Sequence, residues 1–358
     1  MTTELHTPAG KMRSAVWQGI RSISLTEVDV PDPGPRDVVV DIAACGICGS
    51  DVHRYAEGAW AAAGMPMGHE FSGTVSAVGA EVHGLAVGDR VAVNPAAPCG
   101  VCAQCAAGRT NLCADNSASA RGGLSDKVLV RNAAAGERLF VMPSGMHFEE
   151  GAFLEPLSVA VRAVRQVGPQ IPGPVVVAGL GTIGQCVLRV LIAHGVPAVL
   201  GVDISEPRLR SAAEAGADVF DARTGGLVEH VLDKWGTTAS PYQPGAGAVG
   251  TVFECSGAPS MIEAAVRVCR AGGAISLAGL TSETPRVDVN TVVQKELRLL
   301  GSFAYTAADA QEAFGLLRDG RVSVLPLISH RVPLSQVASA FEAQHDVAGS
   351  IKVVVVPD

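Results

Sequence analysis

The sequence predicts an α/β protein in two parts, a mainly β segment followed by a doubly wound parallel sheet. Three observations carry that reading. The 358 residues are too many for one ordinary core. Up to about residue 155, short apolar runs at 36–43, 71–78, 90–94 and 124–130 are separated by glycine and proline, as in strands joined by turns. From about Leu157 strand-like and helix-like runs alternate: 174–178, 183–194, 198–203 and 206–215, then 248–254, 261–270 and 273–279. Helices at 308–318 and 334–343 precede a final strand at 351–356, and 237–247 reads as a polar loop rich in proline and glycine.

Composition narrows the function. The formal net charge is −8, with acidic residues spread along the chain, which argues against a nucleic-acid surface. Residues 1–13 are polar, so no signal peptide is expected. The most apolar stretch, 175–202, carries Gln185, Arg189 and His194 and is broken by glycine, unlike a membrane span. A cytoplasmic protein with no membrane partner is the expectation.

Cysteine spacing is the strongest chemical signal. Cys99, Cys102, Cys105 and Cys113 fall in a 15-residue window. Four thiolates close a tetrahedral zinc shell and leave no position for substrate, so a structural zinc is predicted. Pro98, Gly100 and Gly108 supply turns for so short a loop. A redox disulfide pair is the bland alternative. A nucleic-acid-binding ribbon fails on charge, with Arg109 the one cation of the lobe against Asp115.

A second metal is suggested by Cys48 in Gly46-Ile47-Cys48-Gly49-Ser50-Asp51-Val52-His53, by Gly68-His69-Glu70, and by Glu155 before Pro156. A catalytic zinc takes three protein ligands and keeps one exchangeable position, which Cys48, His69 and a carboxylate would satisfy. Each signal alone is weak, because a lone histidine is commonly a satisfied polar residue.

Farther on, Gly179-Leu180-Gly181-Thr182-Ile183-Gly184 follows an apolar strand and opens a helix, and Asp203 ends the next strand 19 residues beyond Gly184. This is the dinucleotide fingerprint in its required context. The helix N-terminus faces the pyrophosphate, and Asp203 accepts hydrogen bonds from the adenosine ribose, which points to NAD. Arg208 either flanks the adenine or covers a solvated helix face.

Taken in order, GICGSDVH, GHEFSGTVSAVG, GDRVAV, the four-cysteine lobe, EPLSVA and AGLGTIG resemble the zinc-containing medium-chain dehydrogenases, in the branch of sorbitol, xylitol, threonine and 2,3-butanediol dehydrogenases. The resemblance runs from about Met12 to residue 358. It implies a GroES-like catalytic domain over 1–157 and 305–358 and a Rossmann NAD-binding domain over 158–304. It implies two zinc ions per chain, with Cys48 and His69 as catalytic ligands and either Glu70 or Glu155 completing the shell. Ser50 and His53 match the family's proton relay, and Asp51 would buttress a ligand. The family also lines its cofactor site with backbone corresponding to Ser256, Gly279, Leu280, Ser302 and Phe303. Simple alcohol dehydrogenases carry cysteine where Glu155 stands.

The expected activity is hydride transfer from a secondary alcohol to NAD, giving a ketone, with a vicinal diol, polyol or cyclitol as the small-molecule substrate. Tyr55, Trp60, Phe303 and Tyr305 are candidate pocket residues. A less polar or cyclic alcohol is the alternative, favoured by the apolar run 60–67. A catalytically silent NAD-binding protein is the alternative of another class, although no ligand or loop glycine is missing. The family suggests a homotetramer or a homodimer.

Overall fold

The computed structural model describes residues 10–238, 242–281 and 283–358. Two compact units are formed, one of residues 1–155, 328–346 and 352–358, the other of 156–327 and 347–351. The expected return at 305 therefore lies at 328. The helix Ala307–Arg318 stays with the second unit, where Arg165 reaches Asp309 at 2.9 Å and Arg189 donates to the Ser323 carbonyl at 3.0 Å. The short segment 347–351 rejoins it, with Arg208 Nε and Nη2 donating to the Ser350 carbonyl at 3.0 and 2.9 Å.

The first unit is built on a seven-stranded sheet. Its path runs Ile328–Pro333, Lys352–Val356, Val38–Gly46, Glu70–Val78, Arg90–Val93 and Leu139–Val141, and Lys127–Val130 also pairs with Val38–Gly46. All pairings are antiparallel except that of the first two strands. Alternating valines put Val38, Val40, Phe71, Val91, Val128 and Val353 into one core with Leu124 and Phe341. Helix Gly49–Glu57 follows the central strand, and the Asp51 side chain caps it by accepting the Cys48 N–H at 3.3 Å. Lys11–Gly19 and Ser22–Asp29 form a separate hairpin extended by Met65–Pro66.

In the second unit six parallel strands run Val175–Ala178, Val199–Asp203, Asp218–Asp221, Val249–Glu254, Cys269–Leu277 and Arg298–Gly301 in chain order, and third, second, first, fourth, fifth, sixth in space. That order reverses between the first and fourth strands, the place where such sheets take a dinucleotide. The first, second and fourth strands are buried throughout, because helices cover both faces. The helix expected over 261–270 is Pro259–Val268. It stops early because the buried Lys295 ammonium takes the carbonyls of Val266, Arg267 and Cys269, each at 2.9 Å, and Cys269 begins the next strand. The loop expected over 237–247 contains a two-residue ladder, Thr237–Thr238 against Ala246–Gly247, and its residues 239–241 lie outside the described ones.

Of the polar start 1–13, residues 1–9 lie outside the described residues. No helix among the described residues is long and apolar enough to cross a membrane.

Candidate metal centres and dinucleotide site

The cysteine lobe brings its four sulfurs together. Cys99, Cys102, Cys105 and Cys113 Sγ all lie within 4.8 Å of one another, and all four thiols are free. Cys102 and Cys113 Sγ are 3.9 Å apart, close to the roughly 3.8 Å that tetrahedral Zn–S bonds of about 2.3 Å require. Backbone N–H groups of Cys99 and Asp115 point at Cys113 Sγ, at 3.2 and 3.4 Å. Such donors favour thiolate: a backbone hydrogen bond at Ala114 leads in bringing the Cys102 thiol down to about 6. The donor set fits zinc.

A second set forms at one end of the seven-stranded sheet. Cys48, His69 and Glu70 offer ligand atoms within 4.8 Å of one another. Cys48 ends the turn after the central strand, and Glu70 opens the adjacent strand, paired with Gly46. A Cβ on Gly46 would lie 2.2 Å from Glu70 Oε2, so only glycine leaves room for that carboxylate. The His69 ring is oriented by the buried Asp51, whose Oδ2 lies 3.5 Å from Nδ1. This leaves Nε2 for a metal and is the carboxylate–histidine arrangement that fixes a ligand's tautomer. Arg54 donates to the other Asp51 oxygen at 3.0 Å. Burial opposes a charged His69, but Asp51 and then the Cys48 thiolate outweigh it and hold the imidazole well above its usual range. The cluster is electrostatically made for a cation.

Glu155 stands in the first turn of helix Leu154–Val167 and is not part of the 4.8 Å set. Burial pushes its carboxyl up to about 7, His69 pulls it down, and Glu70 adds to the rise. Ser50 is partly buried in the first turn of helix Gly49–Glu57. His53, on the same helix, pairs with Glu57 at 3.0 Å and meets Trp60 edge-on.

In the second unit, helix Thr182–Ala193 starts from Gly181 with no side chain capping it, which leaves its first N–H groups for an anion. Gly179 has φ +87°, and a Cβ there would meet Ser256 at 2.6–2.7 Å. A Cβ on Gly184 would lie 1.8 Å from the Gly179 carbonyl, while Gly181 is open, its nearest neighbour the Arg208 guanidinium at 3.9 Å. Leu180, Thr182 and Ile183 complete the turn, with Leu180 N–H donating to Asp203 Oδ2 at 2.6 Å and Thr182 Oγ1 to the Ile351 carbonyl at 2.8 Å. Asp203 Oδ1 accepts from Ile204 and Ser205 N–H at 2.7 and 2.8 Å. Ser302 Oγ is buried without a hydrogen-bond partner among the described residues, while Leu280 and Phe303 are exposed. An open glycine cradle and an orphaned hydroxyl fit a dinucleotide.

Residues 34–139 match the family described as alcohol dehydrogenase GroES-like domain, and residues 182–319 the family described as zinc-binding dehydrogenase. A D-xylulose reductase of Saccharomyces cerevisiae is 33% identical over 343 residues, covering 93% of this chain and 94% of that protein. The chain is a zinc-dependent medium-chain dehydrogenase of the polyol branch. A sorbitol dehydrogenase of Macaca fascicularis shares 35% identity over 349 residues, 93% of this chain and 92% of that one. A zinc-binding dehydrogenase of Sinorhizobium meliloti 1021, solved bound to NADP, superposes with a TM-score of 0.86 at 30% identity, covering 98% of this chain and 100% of that one. As a member of this family the chain is an oxidoreductase that uses zinc and a nicotinamide dinucleotide.

Two residues of this dehydrogenase's sites escape sequence reasoning. Lys352 is buried, and its ammonium donates to Glu70 Oε2 at 2.5 Å and to the Ile47 carbonyl at 3.0 Å. Burial opposes its charge, and Glu70, then the Cys48 thiolate, more than restore it. Glu254, also buried, ends the fourth strand of the parallel sheet and gathers the Ser256–Gly257 turn. The available signal was a charged residue bordering an apolar strand.

Proposed function

We propose that this dehydrogenase holds two zinc ions and oxidises a secondary alcohol, in the form of a vicinal diol, polyol or cyclitol, to a ketone with NAD as hydride acceptor. The observation that carries the reading is the Cys48–His69–Glu70 cluster, three ligands of the type that leave one position open, with Glu155 as a further carboxylate beside it. Cys48, His69 and Glu70 would hold the catalytic ion, and the four-cysteine lobe the other. Zinc, when bound, supplies Lewis acidity that lowers the pKa of the substrate hydroxyl.

The chain's own residues then do the rest. Asp51 keeps His69 in the tautomer that binds through Nε2. Lys352 ties one Glu70 oxygen down and leaves the other for the metal. Ser50 and His53 carry the released proton outward, His53 being 44% exposed and backed by Glu57. Glu155 or Glu70 keeps an oxygen for a hydroxyl beside the reacting one. Nine free thiols accord with a reducing, cytoplasmic setting.

Asp203 supports NAD over NADP. Its carboxylate is held in place by three backbone N–H groups, and the nearby Arg208 is spent on the Ser350 carbonyl rather than left for a phosphate. A 2′-phosphate against that carboxylate costs up to ~4 kcal/mol at 4 Å and an effective dielectric of about 20. Steady-state rates should therefore favour NAD by on the order of a hundredfold after rearrangement.

A substrate without the second hydroxyl leaves an acceptor unpaired, at ~1–3 kcal/mol, so 2,3-butanediol should exceed 2-butanol by about ten- to a hundredfold in kcat/KM. Cyclohexanol and sorbitol complete the comparison. Mono-alcohols that match or exceed the diols remove the carboxylate argument and favour the less polar reading. That second reading rests on Trp60, which is 66% exposed, with φ +55°, beside His53.

A further inference from the structure

The Glu254 carboxylate has no role in the hydride transfer outlined above, yet it is fully buried. Its Oε1 accepts from Ser256 N–H at 2.8 Å, Gly257 N–H at 3.0 Å and the Ser256 hydroxyl, and its Oε2 from Gly257 N–H at 3.2 Å. The two backbone amides can only donate, so the turn accommodates the carboxylate form. No lysine, arginine or histidine among the described residues forms an ion pair with it. A buried charge without a counter-charge is expensive, and its partners here are neutral donors only.

Its position gives that charge a target. In a sheet of this strand order the dinucleotide crosses the switch point, one mononucleotide on each half. The glycine turn and Asp203 belong to the half made by the first three strands, so the nicotinamide falls to the half made by the fourth to sixth. Glu254 is the terminal residue of the fourth strand. Its Oε2 lies under Gly279, where a Cβ would come within 2.8 Å of it and within 2.3 Å of Gly257 N. Gly257 in turn has φ +70°, and a Cβ there would stand 2.1 Å from the Leu280 carbonyl. Gly257, Gly279 and Leu280 thus form a thin backbone floor over the carboxylate.

We infer that Glu254 sets the site's preference between the two oxidation states of its cofactor. Its uncompensated charge beneath the nicotinamide half holds the cationic ring of NAD more tightly than the neutral ring of NADH. Shielded from solvent, the attraction is weakly screened by salt. The consequence is a bias toward binding the oxidised cofactor and releasing the reduced one, the direction of alcohol oxidation. This rests on the dinucleotide site proposed above.

The test is binding without turnover. Zinc-loaded wild type, Glu254→Gln and Glu254→Asp are titrated with NAD, NADH and ADP-ribose by calorimetry, at low and high salt. Glu254→Gln keeps the acceptor oxygen and removes the charge. Its Kd for NAD should rise about tenfold, as for a unit charge at about 10 Å and an effective dielectric of about 20, while NADH and ADP-ribose hold near their wild-type values. Glu254→Asp keeps the charge, so its NAD to NADH ratio should stay close to wild type even if both affinities fall. If the glutamine variant weakens NAD and NADH by the same factor, the carboxylate only shapes the turn and the inference is overturned. Should that variant not fold, an aspartate variant that loses the NAD preference overturns it equally. A wild type that binds none of the three ligands instead removes the dinucleotide reading itself.

Discussion

The two metal sites of this dehydrogenase are made in opposite ways. The lobe draws all its ligands from residues 99–113, and backbone N–H groups of the same loop serve its sulfurs. The other takes Cys48, His69 and Glu70 from two strands of one sheet and needs Asp51 and Lys352 behind them. A local, all-thiolate site closes its shell and can only stabilise, whereas a dispersed, mixed-ligand site keeps a position open and borrows its geometry from the fold. The difference teaches that stability and chemistry have separate metals here.

The largest effect that would break this division is on the lobe. Structural zinc binds peptides with roughly 10–16 kcal/mol, comparable to the ~5–15 kcal/mol that holds a whole protein folded. Cys102→Ser should lower zinc content by one ion per chain and the melting temperature by on the order of 10 °C or more, while the molecules that stay folded keep their kcat. Lost turnover at an unchanged melting temperature would reverse the roles assigned to the two sites.

The catalytic set should answer in the other sense. His69→Ala is expected to cut kcat/KM by roughly 10³–10⁴, the several kcal/mol a Lewis acid supplies. Its melting temperature should move by only about 3 °C. Zinc content, again down by one, shows which ion has gone. A variant that unfolds before it loses activity would merge the two sites into one class.

The smallest effect sharpens what the second site costs when empty. With the catalytic ion chelated, the Glu155 carboxyl sits raised from 4.5 to about 7, burial first among the causes. A carboxyl whose pKa rises on folding contributes stability that is present below 4.5 and lost as the pH climbs through about 7. The chelated protein should therefore melt a few degrees lower at pH 8 than at pH 5 beyond any change in Glu155→Gln. Identical slopes in both proteins would mean that another group carries the pH dependence.

The same contrast explains what the sequence could disclose. Four cysteines in one window and a glycine turn between strand and helix depend on neighbours in the chain, so spacing alone reveals them. Which carboxylate meets Cys48 and His69 depends on pairing between Val38–Gly46 and Glu70–Val78, where Gly46 faces Glu70, and no spacing encodes that register. Lys352 heads the run Lys352–Val356 and reads like an edge charge, because its partner Glu70 is 282 positions away. Glu254 reads like the polar end of a strand until Gly279 is seen lying over it. For His53, the residues alone suggested Ser50 as neighbour, whereas its hydrogen bond goes to Glu57, four residues along the helix. Local chemistry was legible; chemistry assembled across the sheet was not.

That Lys352 meets Ile47 and Glu70 also has a temporal meaning. Ile47 and Lys352 are 305 positions apart, and the strand Lys352–Val356 lies between Ile328–Pro333 and the central strand Val38–Gly46. During synthesis the parallel sheet of residues 156–327 is complete before this strand exists, so the unit begun first is finished last. Until then the Glu70 carboxylate lacks its ammonium partner, whereas the lobe, made of 15 consecutive residues, can take its ion at once. Arming of the catalytic centre is thereby deferred until nearly the whole chain has been made.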